Sequence, residues 1–312
     1  MSDRGLFCDD CRGGVPIQTT GMFVIVLVIG LTTAGVLFGF GTAFTDRTAI
    51  TTGSGECTYT LTLDPQDIEG FAADRAASER YTDGTFPCVF WLDTDSASGF
   101  DAGEQVNTWA DKSTNGFNAR PTGEAPRWEA VDGIRAVRFT GQSEGGLTVG
   151  SASDRPQFSA DSGVTVTMLV YAENRTHRGG GLYAIDDGDG GTAVDLRQSD
   201  VSTENPQADE WWATPGPKAE ITTEGRWAII THTVGTESAE LFVDGDSQGL
   251  VEGGVDELGT EVRIGAAHSG NAFDGYVAEY FVSDTRLSTG QRNLVECAMD
   301  AKHDSVVDLD AC

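Results

Sequence analysis

Apolar residues fall along this chain of 312 residues in two different ways. From Arg12 to Phe44 they run nearly unbroken, RGGVPIQTTGMFVIVLVIGLTTAGVLFGFGTAF, and no charge occurs between Arg12 and Asp46. As a helix, Ile17 to Phe44 would be about 40 Å long, enough to span a hydrocarbon core of about 30 Å. Beyond Cys88 the apolar residues instead alternate with polar ones in short runs. VTVTMLVY (Val164–Tyr171), RWAIITHTV (Arg226–Val234), AELFVDGDSQGLV (Ala239–Val251), EVRIG (Glu261–Gly265) and GYVAEYFVS (Gly275–Ser283) each read as strands. Asp244-Gly245 between two such runs marks a β-hairpin. Many short strands with glycine-rich turns predict a sandwich of two antiparallel sheets. Near the end, Ser288-x-x-Gln291 is a capping box, and Leu294, Val295 and Ala298 form the apolar stripe of one helix.

The segment between these regions, Ala49 to Pro87, is mixed. CTYTLTL, from Cys57, alternates as a short strand. EGFAADRAASERY reads as a short helix after Asp64-Pro65, and Tyr81 to Pro87 as a turn. The pattern predicts a connector that sets an outer domain away from a membrane or filament.

Charge changes the picture in one respect. The chain has 49 acids against 20 bases, a formal net charge of −29, and lysines only at Lys112, Lys218 and Lys302. Such a fold repels itself. In molar salt the Debye length falls to about 3 Å and the repulsion is largely screened. The composition therefore predicts a protein that works in high salt. No basic patch along the sequence answers to phosphates, which argues against a nucleic-acid partner.

Six cysteines punctuate the chain. Cys8 and Cys11 precede the apolar run. Cys57, Cys88, Cys297 and Cys312 follow it, and four cysteines in an exported domain suggest two disulfides with three possible pairings. Cys8-x-x-Cys11 has metal or redox spacing, but no second Cys or His pair lies near it to complete a zinc site.

Small residues line the apolar run, and Gly35-x-x-x-Gly39 is the spacing at which two helices approach closely. With Arg12-Gly13-Gly14 just before it, this segment resembles the N-terminus of type IV pilins and archaellins. The resemblance implies a leader, residues 1–13, cut between Gly13 and Gly14, and a helix over 14–48 that packs with its copies in a filament core after leaving the membrane. Gln18 then stands fifth in the mature chain, where the family often carries a glutamate, and the leader is acidic where pilin leaders are basic. A plain single-span anchor is the alternative. A cleaved secretory signal is a third reading, with Gly41-Thr42-Ala43 a weak cleavage site.

The outer region carries a second resemblance. VFWLDTDSASGFDAGEQVNTWADKSTNGFNARP, ending at Pro121, GIRAVRFTG (Gly133–Gly141), ELFVDGDSQG and FDGYVAEYFVSDTRLSTGQRNLVECAMDAKH occur in order across the chain. Together they resemble laminin-G/concanavalin-A-like lectin-glucanase domains. The resemblance implies a mainly β fold over 88–312, a jelly-roll-like antiparallel β-sandwich that often holds calcium and often binds sugars or proteins. It also implies that the first strand meets the closing helix, which would join Cys88 to Cys297 and Cys57 to Cys312. The family's enzymes place two catalytic carboxylates on one strand face as Glu-x-Asp-x-x-Glu. No such run occurs here, and Glu279 has no second acid two residues on.

Candidate sites follow from residue types. Asp186, Asp187 and Asp189 cluster in a glycine-rich loop that could offer oxygens to calcium, and Asp93, Asp95 and Asp101 form a second such group. Trp211-Trp212, in the polar stretch ADEWWATPGP, could stack on sugar faces. Trp91, Trp109 and Trp227 read as core. The four histidines show no ligand spacing. Asn174-Arg175-Thr176 is an N-glycosylation sequon. These readings converge on a pilin-like surface subunit whose lectin-like outer domain contacts glycans or proteins. A membrane-anchored lectin-like domain that forms no filament is the alternative, and a glycoside hydrolase a distant third.

The charge balance generates a first prediction. The thermal midpoint of residues 88–312 should rise when sodium chloride is raised from 0.1 to 2 M, followed by circular dichroism. A midpoint that is flat or falls with salt counts against high-salt adaptation.

Overall fold

The computed structural model describes residues 49–53, 56–60, 85–94, 100–141, 145–173, 180–198, 210–220, 225–266, 272–303, 306, 307, 309 and 312. The Cys8-x-x-Cys11 pair, the apolar run with Gly13, Gly14, Gln18, Gly35 and Gly39, the helix expected after Asp64-Pro65, Asp95 and the Asn174 sequon lie outside them. Among the described residues no helix is long and apolar enough to cross a membrane.

The described chain is mainly β, with antiparallel sheets and one helix. Strands β1 (Ala49–Gly53), β2 (Glu56–Thr60) and β3 (Thr85–Pro87) form a small sheet. The alternation from Cys57 is thus a strand. The expected turn at Tyr81 to Pro87 is corrected at its end, because Thr85–Pro87 pairs with β2, Cys57 opposite Phe86.

Two larger sheets follow. One contains β4 (Phe90–Asp93), β6 (Arg127–Val131), β7 (Ile134–Thr140), β9 (Val164–Ala172), β14 (Trp227–Val234), β15 (Ser238–Val243), β16 (Asp246–Glu252) and β18 (Asp274–Ser283). The other contains β5 (Ala119–Thr122), β8 (Gly146–Val149), β10 (Gly180–Asp186), β11 (Thr192–Gln198), β12 (Glu210–Thr214), β13 (Lys218–Glu220) and β17 (Val262–Ile264). Two hairpins show why local sequence decides pairing. Asp244 and Gly245 take φ of 52° and 83°, and Asp132 and Gly133 take 52° and 84°. Both central residues of a type I′ turn need positive φ, and Asp-Gly supplies it at low cost.

The sheets face each other across a core that includes Phe90, Trp109, Trp128, Phe139, Tyr183, Ile230, Phe273 and Tyr280. A second apolar layer covers the other side of the eight-stranded sheet. There Trp91, Leu169, Trp227, Ile229, Phe281 and Ala278 pack with Leu294, Val295, Ala298 and Met299 of helix α1 (Thr289–Lys302). On β9 the polar residues Thr165 and Thr167 are fully buried too, with the Thr165 hydroxyl donating to Thr285 O at 2.9 Å and accepting from Leu287 N–H at 3.0 Å. The predicted capping box is present: Gln291 N–H donates to Ser288 Oγ at 3.4 Å, and Ser288 N–H donates to Gln291 Oε1 at 3.0 Å. The tryptophans expected in the core are there, Trp91 and Trp227 under α1 and Trp109 between the sheets.

The disulfide pairing differs from expectation. Cys297 of α1 bonds Cys312, not Cys88, with their Cα atoms 5.5 Å apart. The tail after α1 turns back over the helix and buries Leu309 in the same apolar layer, which brings the nearest cysteine in sequence to Cys297. Closing this 15-residue separation restricts the unfolded chain by about 3 kcal/mol in the loop-entropy account. Cys88 is also disulfide-bonded.

The C-terminal end of α1 is fastened by charge. Glu279 on β18 lies directly opposite Asp93 on β4. Lys302 Nζ sits 2.8 Å from Asp93 Oδ2 and 3.3 Å from Glu279 Oε2. His303 Nε2 lies 3.0 Å from Glu279 Oε2, and Trp91 Nε1–H donates to Glu279 Oε1 at 2.6 Å. Burial pushes the Glu279 carboxyl up, yet Lys302, His303 and Trp91 outweigh it and hold it below its ordinary value. Removing one partner of such a buried set strands the others. Lys302→Met is therefore expected to lower stability by about 3–5 kcal/mol, read by urea denaturation in molar salt. A loss under about 1 kcal/mol would show the cluster to be solvent-screened.

Candidate functional site

The two sheets differ in what covers them. Strands β4, β9, β14 and β18 of the eight-stranded sheet are buried on both faces. The seven-stranded sheet buries one face in the central core, and no second apolar cluster covers its other face among the described residues. Its order is β13-β12-β11-β10-β17-β8-β5. Along each strand alternate residues face outward. Leu147, Val149, Tyr183, Ile185, Val194, Leu196, Val262 and Ile264 point into the core. Their neighbours compose the outer face, and the register aligns them: Thr214 opposite Asp195, Asp195 opposite Ala184, Ala184 opposite Arg263, Arg263 opposite Thr148, and Thr148 opposite Arg120.

Trp211-Trp212 was expected in a loop. It is corrected to β12, where Gln198 opposes Trp211 and Arg197 opposes Trp212. The spacing of two therefore separates the pair. The Trp211 position shares a face with Ala213, which belongs to the core, and the Trp212 position shares the outer face with Arg197.

The geometry of β12 depends on the facing sheet. His232, on β14, is fully buried. Its Nε2 lies 2.8 Å from Pro215 O, in the turn after β12, and its Nδ1 meets the Tyr183 hydroxyl of β10. A carbonyl can only accept, so Nε2 carries the proton, and Nδ1 accepts from the Tyr183 O–H. One neutral ring thus ties three strands together. Burial lowers the His232 pKa to about 4, against a smaller upward pull from the Pro215 hydrogen bond.

Two arginines of the outer face are held in the same way. Arg197 presents Nε and Nη2 to Asp195 Oδ2, two residues back on its strand, with Nε at 2.6 Å. Arg263 presents Nε at 2.7 Å and Nη2 at 2.6 Å to Glu261 Oε1, again two residues back. Arg155 Nη1 lies 3.1 Å from Glu261 Oε2. Sequence reasoning missed these arginines. The signal was present as an opposite-charge pair at i, i+2, in VDLRQ and in EVRIG, the latter already identified as a strand.

The acidic loop behaves differently from the calcium expectation's starting picture. Asp186 Oδ1 accepts Glu261 N–H at 2.9 Å, and a Cβ added at Gly259 would sit 1.9 Å from that oxygen. Asp187 Oδ1 accepts Asp189 N–H at 3.0 Å and Gly191 N–H at 2.7 Å. These carboxylates therefore fold the loop. Among the described residues no group of three or more His, Cys, Asp or Glu is placed to hold a metal. In the second acidic group Asp93 is engaged by Lys302, while Asp101 is exposed.

The Asp93 and Glu279 pair is one that sequence spacing could not reveal, because the two acids come from opposite ends of the outer region. Their side chains are 2% and 0% exposed, beneath α1, and bridged by Lys302. As placed, they are closed to a polysaccharide.

No protein-family description matches the chain, and neither does any curated protein. Solved structures do. Trypanosoma rangeli sialidase in complex with sialic acid aligns at a TM-score of 0.50 and 11% identity, over 81% of this chain and 44% of that one. The receptor-binding domain of botulinum neurotoxin C/D mosaic serotype aligns at 0.47 and 12% identity, over 67% of this chain and 50% of that one. The fold is a β-sandwich of antiparallel sheets. This chain spans less than half the length of the sialidase, and at such identity the likeness concerns architecture alone.

The His232 geometry predicts a pH dependence. The ordinary histidine value is about 6.5. Between that and about 4 the unfolded chain takes a proton that the folded chain refuses, so stability falls as pH drops through this window. The slope is about 1.4 kcal/mol per pH unit from this group, with its contribution fully present above pH 6.5. His232→Gln, which keeps a donor and an acceptor, should remove that share of the slope between pH 6.5 and 4 in paired denaturation series. Identical slopes in the two proteins would refute the assignment.

Proposed function

We propose that the chain is a cell-surface adhesion subunit. Its β-sandwich presents the outer face of the seven-stranded sheet to glycans, and its N-terminal apolar segment holds it at the surface by packing with copies of itself, as in a pilin-like filament. The observation that carries the reading is the asymmetry of the sandwich. One sheet is covered by α1 and its apolar layer, while the other carries no second apolar cluster among the described residues and presents Arg120, Arg197 and Arg263 outward, where a ligand can meet them. The Trp212 position falls on that surface. An indole there offers a sugar a flat apolar face beside hydrogen-bonding groups.

Other features support the setting. The Cys297–Cys312 disulfide is consistent with an oxidising, extracellular location. The apolar run with Gly35 and Gly39 suits close helix packing, and Gly13-Gly14 suits cleavage ahead of it. A single-pass anchor would hold the same domain without a filament.

Two measurements test the parts separately. In a glycan array in 2 M salt, Trp212→Ala should weaken binding by about 1–3 kcal/mol, the worth of one stacking aromatic borrowed from base stacking. Unchanged binding removes Trp212 from the site. Mass spectrometry of surface material should show a mature chain beginning at Gly14. An uncut chain shed as monomers would leave the anchored lectin-like domain and discard the filament.

A further inference from the structure

The outer face has a chemistry that the rest of the chain lacks. In a chain of 49 acids and 20 bases, the part of this face from β11 to β5 gathers Arg120, Arg155, Arg197 and Arg263 against Asp186, Asp195 and Glu261. Here four bases meet three acids, whereas in the whole chain acids outnumber bases more than two to one. The Lys218 position, opposite Trp212, continues the same face together with the Glu210 and Glu220 positions.

The arginines are also posed alike. Strands β11 and β17 both run antiparallel to β10, so they run parallel to each other. In each, an acid precedes an arginine by two residues and grips its Nε and Nη2 from the side. That grip leaves the Nη1 edge of both guanidiniums without a hydrogen bond among the described residues. A carboxylate behind an arginine fixes its rotamer and so reduces the ordering cost of binding an anion in front. Arg120 is exposed and has no side-chain partner among the described residues. Two strand spacings, about 10 Å, separate Arg120 from Arg263 across β8, and the same interval separates β17 from β11. Between them Asp195 is fully buried, so it backs Arg197 and leaves the arginine to meet a ligand.

We propose that this face binds an acidic polysaccharide, its carboxylate or sulfate groups seated on Arg263, Arg197 and Arg120. The inference rests on the adhesion reading and narrows its ligand. A spaced row of oriented forks suits an anion repeated along a chain better than a single small anion. The net charge of −29 opposes a polyanion at long range, but in molar salt that repulsion is screened within about 3 Å. Charge-assisted contacts at hydrogen-bond distance persist there better than interactions beyond it.

The test uses the full chain in 2 M sodium chloride, with oligogalacturonate, dextran sulfate and neutral dextran as probes in titration calorimetry. Oligogalacturonate or dextran sulfate should bind and neutral dextran should not. Which of the two binds tighter tells carboxylate from sulfate. Arg120→Glu and Arg263→Gln should each weaken that binding at least about tenfold, the scale of one charge-assisted hydrogen bond. Arg127→Gln, on β6 at the edge of the other sheet, should leave it unchanged. Matching thermal midpoints establish that the variants fold. Equal polyanion binding by all four proteins overturns the inference, as does loss of self-association rather than glycan binding in Arg120→Glu. Binding of neutral glycans alone overturns it while sparing the adhesion reading. Binding of no glycan of any class removes both.

Discussion

Double burial of the eight-stranded sheet is the constraint on which the rest of the molecule depends. Each strand of a sheet has two faces, and β9, β14 and β18 have no wet side. One face needs the seven-stranded sheet, and the other needs α1 with Leu169, Trp227 and Phe281 beneath it. At roughly 25 cal/mol per Å² of apolar surface, two such layers supply most of the driving force for folding. Because the helix is spent on that sheet, no second apolar cluster covers the seven-stranded sheet among the described residues.

Charge is used in opposite ways inside and outside this frame. Under α1, Asp93, Glu279, Lys302 and His303 form a closed set whose members satisfy one another. The set locks the end of the helix to β4 and β18. On the outer sheet, Asp195 and Glu261 satisfy only one edge of Arg197 and Arg263. The first arrangement uses its ionic capacity internally, and the second leaves part of it directed outward. His232 joins the two regions, since it reaches from the buried sheet to the turn that ends β12.

What was legible in the sequence was local. Asp244-Gly245 specified its hairpin because the turn's positive φ values are a property of those two residues. Ser288 and Gln291 specified the start of α1 for the same reason. Trp91, Trp109 and Trp227 stood at strand-like positions of the family resemblance and are core. Pairings between distant strands were not legible. Nothing in the order of residues says that Arg120 and Arg263 flank a common neighbour, or that Glu279 faces Asp93. Nor does the order of residues say that Thr165 and Thr167 are buried, because hydroxyls are ambiguous between water and a buried acceptor. The cysteine pairing failed because it was taken from a fold-level likeness, whereas here the tail after α1 returns to the helix and brings Cys312 to Cys297. The Trp211-Trp212 doublet shows the same limit: composition suggested a loop, and only strand register separated the two residues onto opposite faces.

The position of β18 carries a kinetic consequence. It is the last strand of the chain described, yet it lies in the interior of its sheet and pairs with β4, β7 and β9. Those partners precede it by most of the outer region, so the pairings that close the core are among the most distant in sequence. Such topology is slow to fold, because loop-closure entropy must be met before the long-range pairings form. Until β18 arrives, β9 and the region around Trp91 expose apolar edges that would pair with anything extended nearby. For a chain made from its N-terminus onward, this order delays closure. The early strands cannot complete their sheet, which assembles only when nearly the whole outer segment has been made.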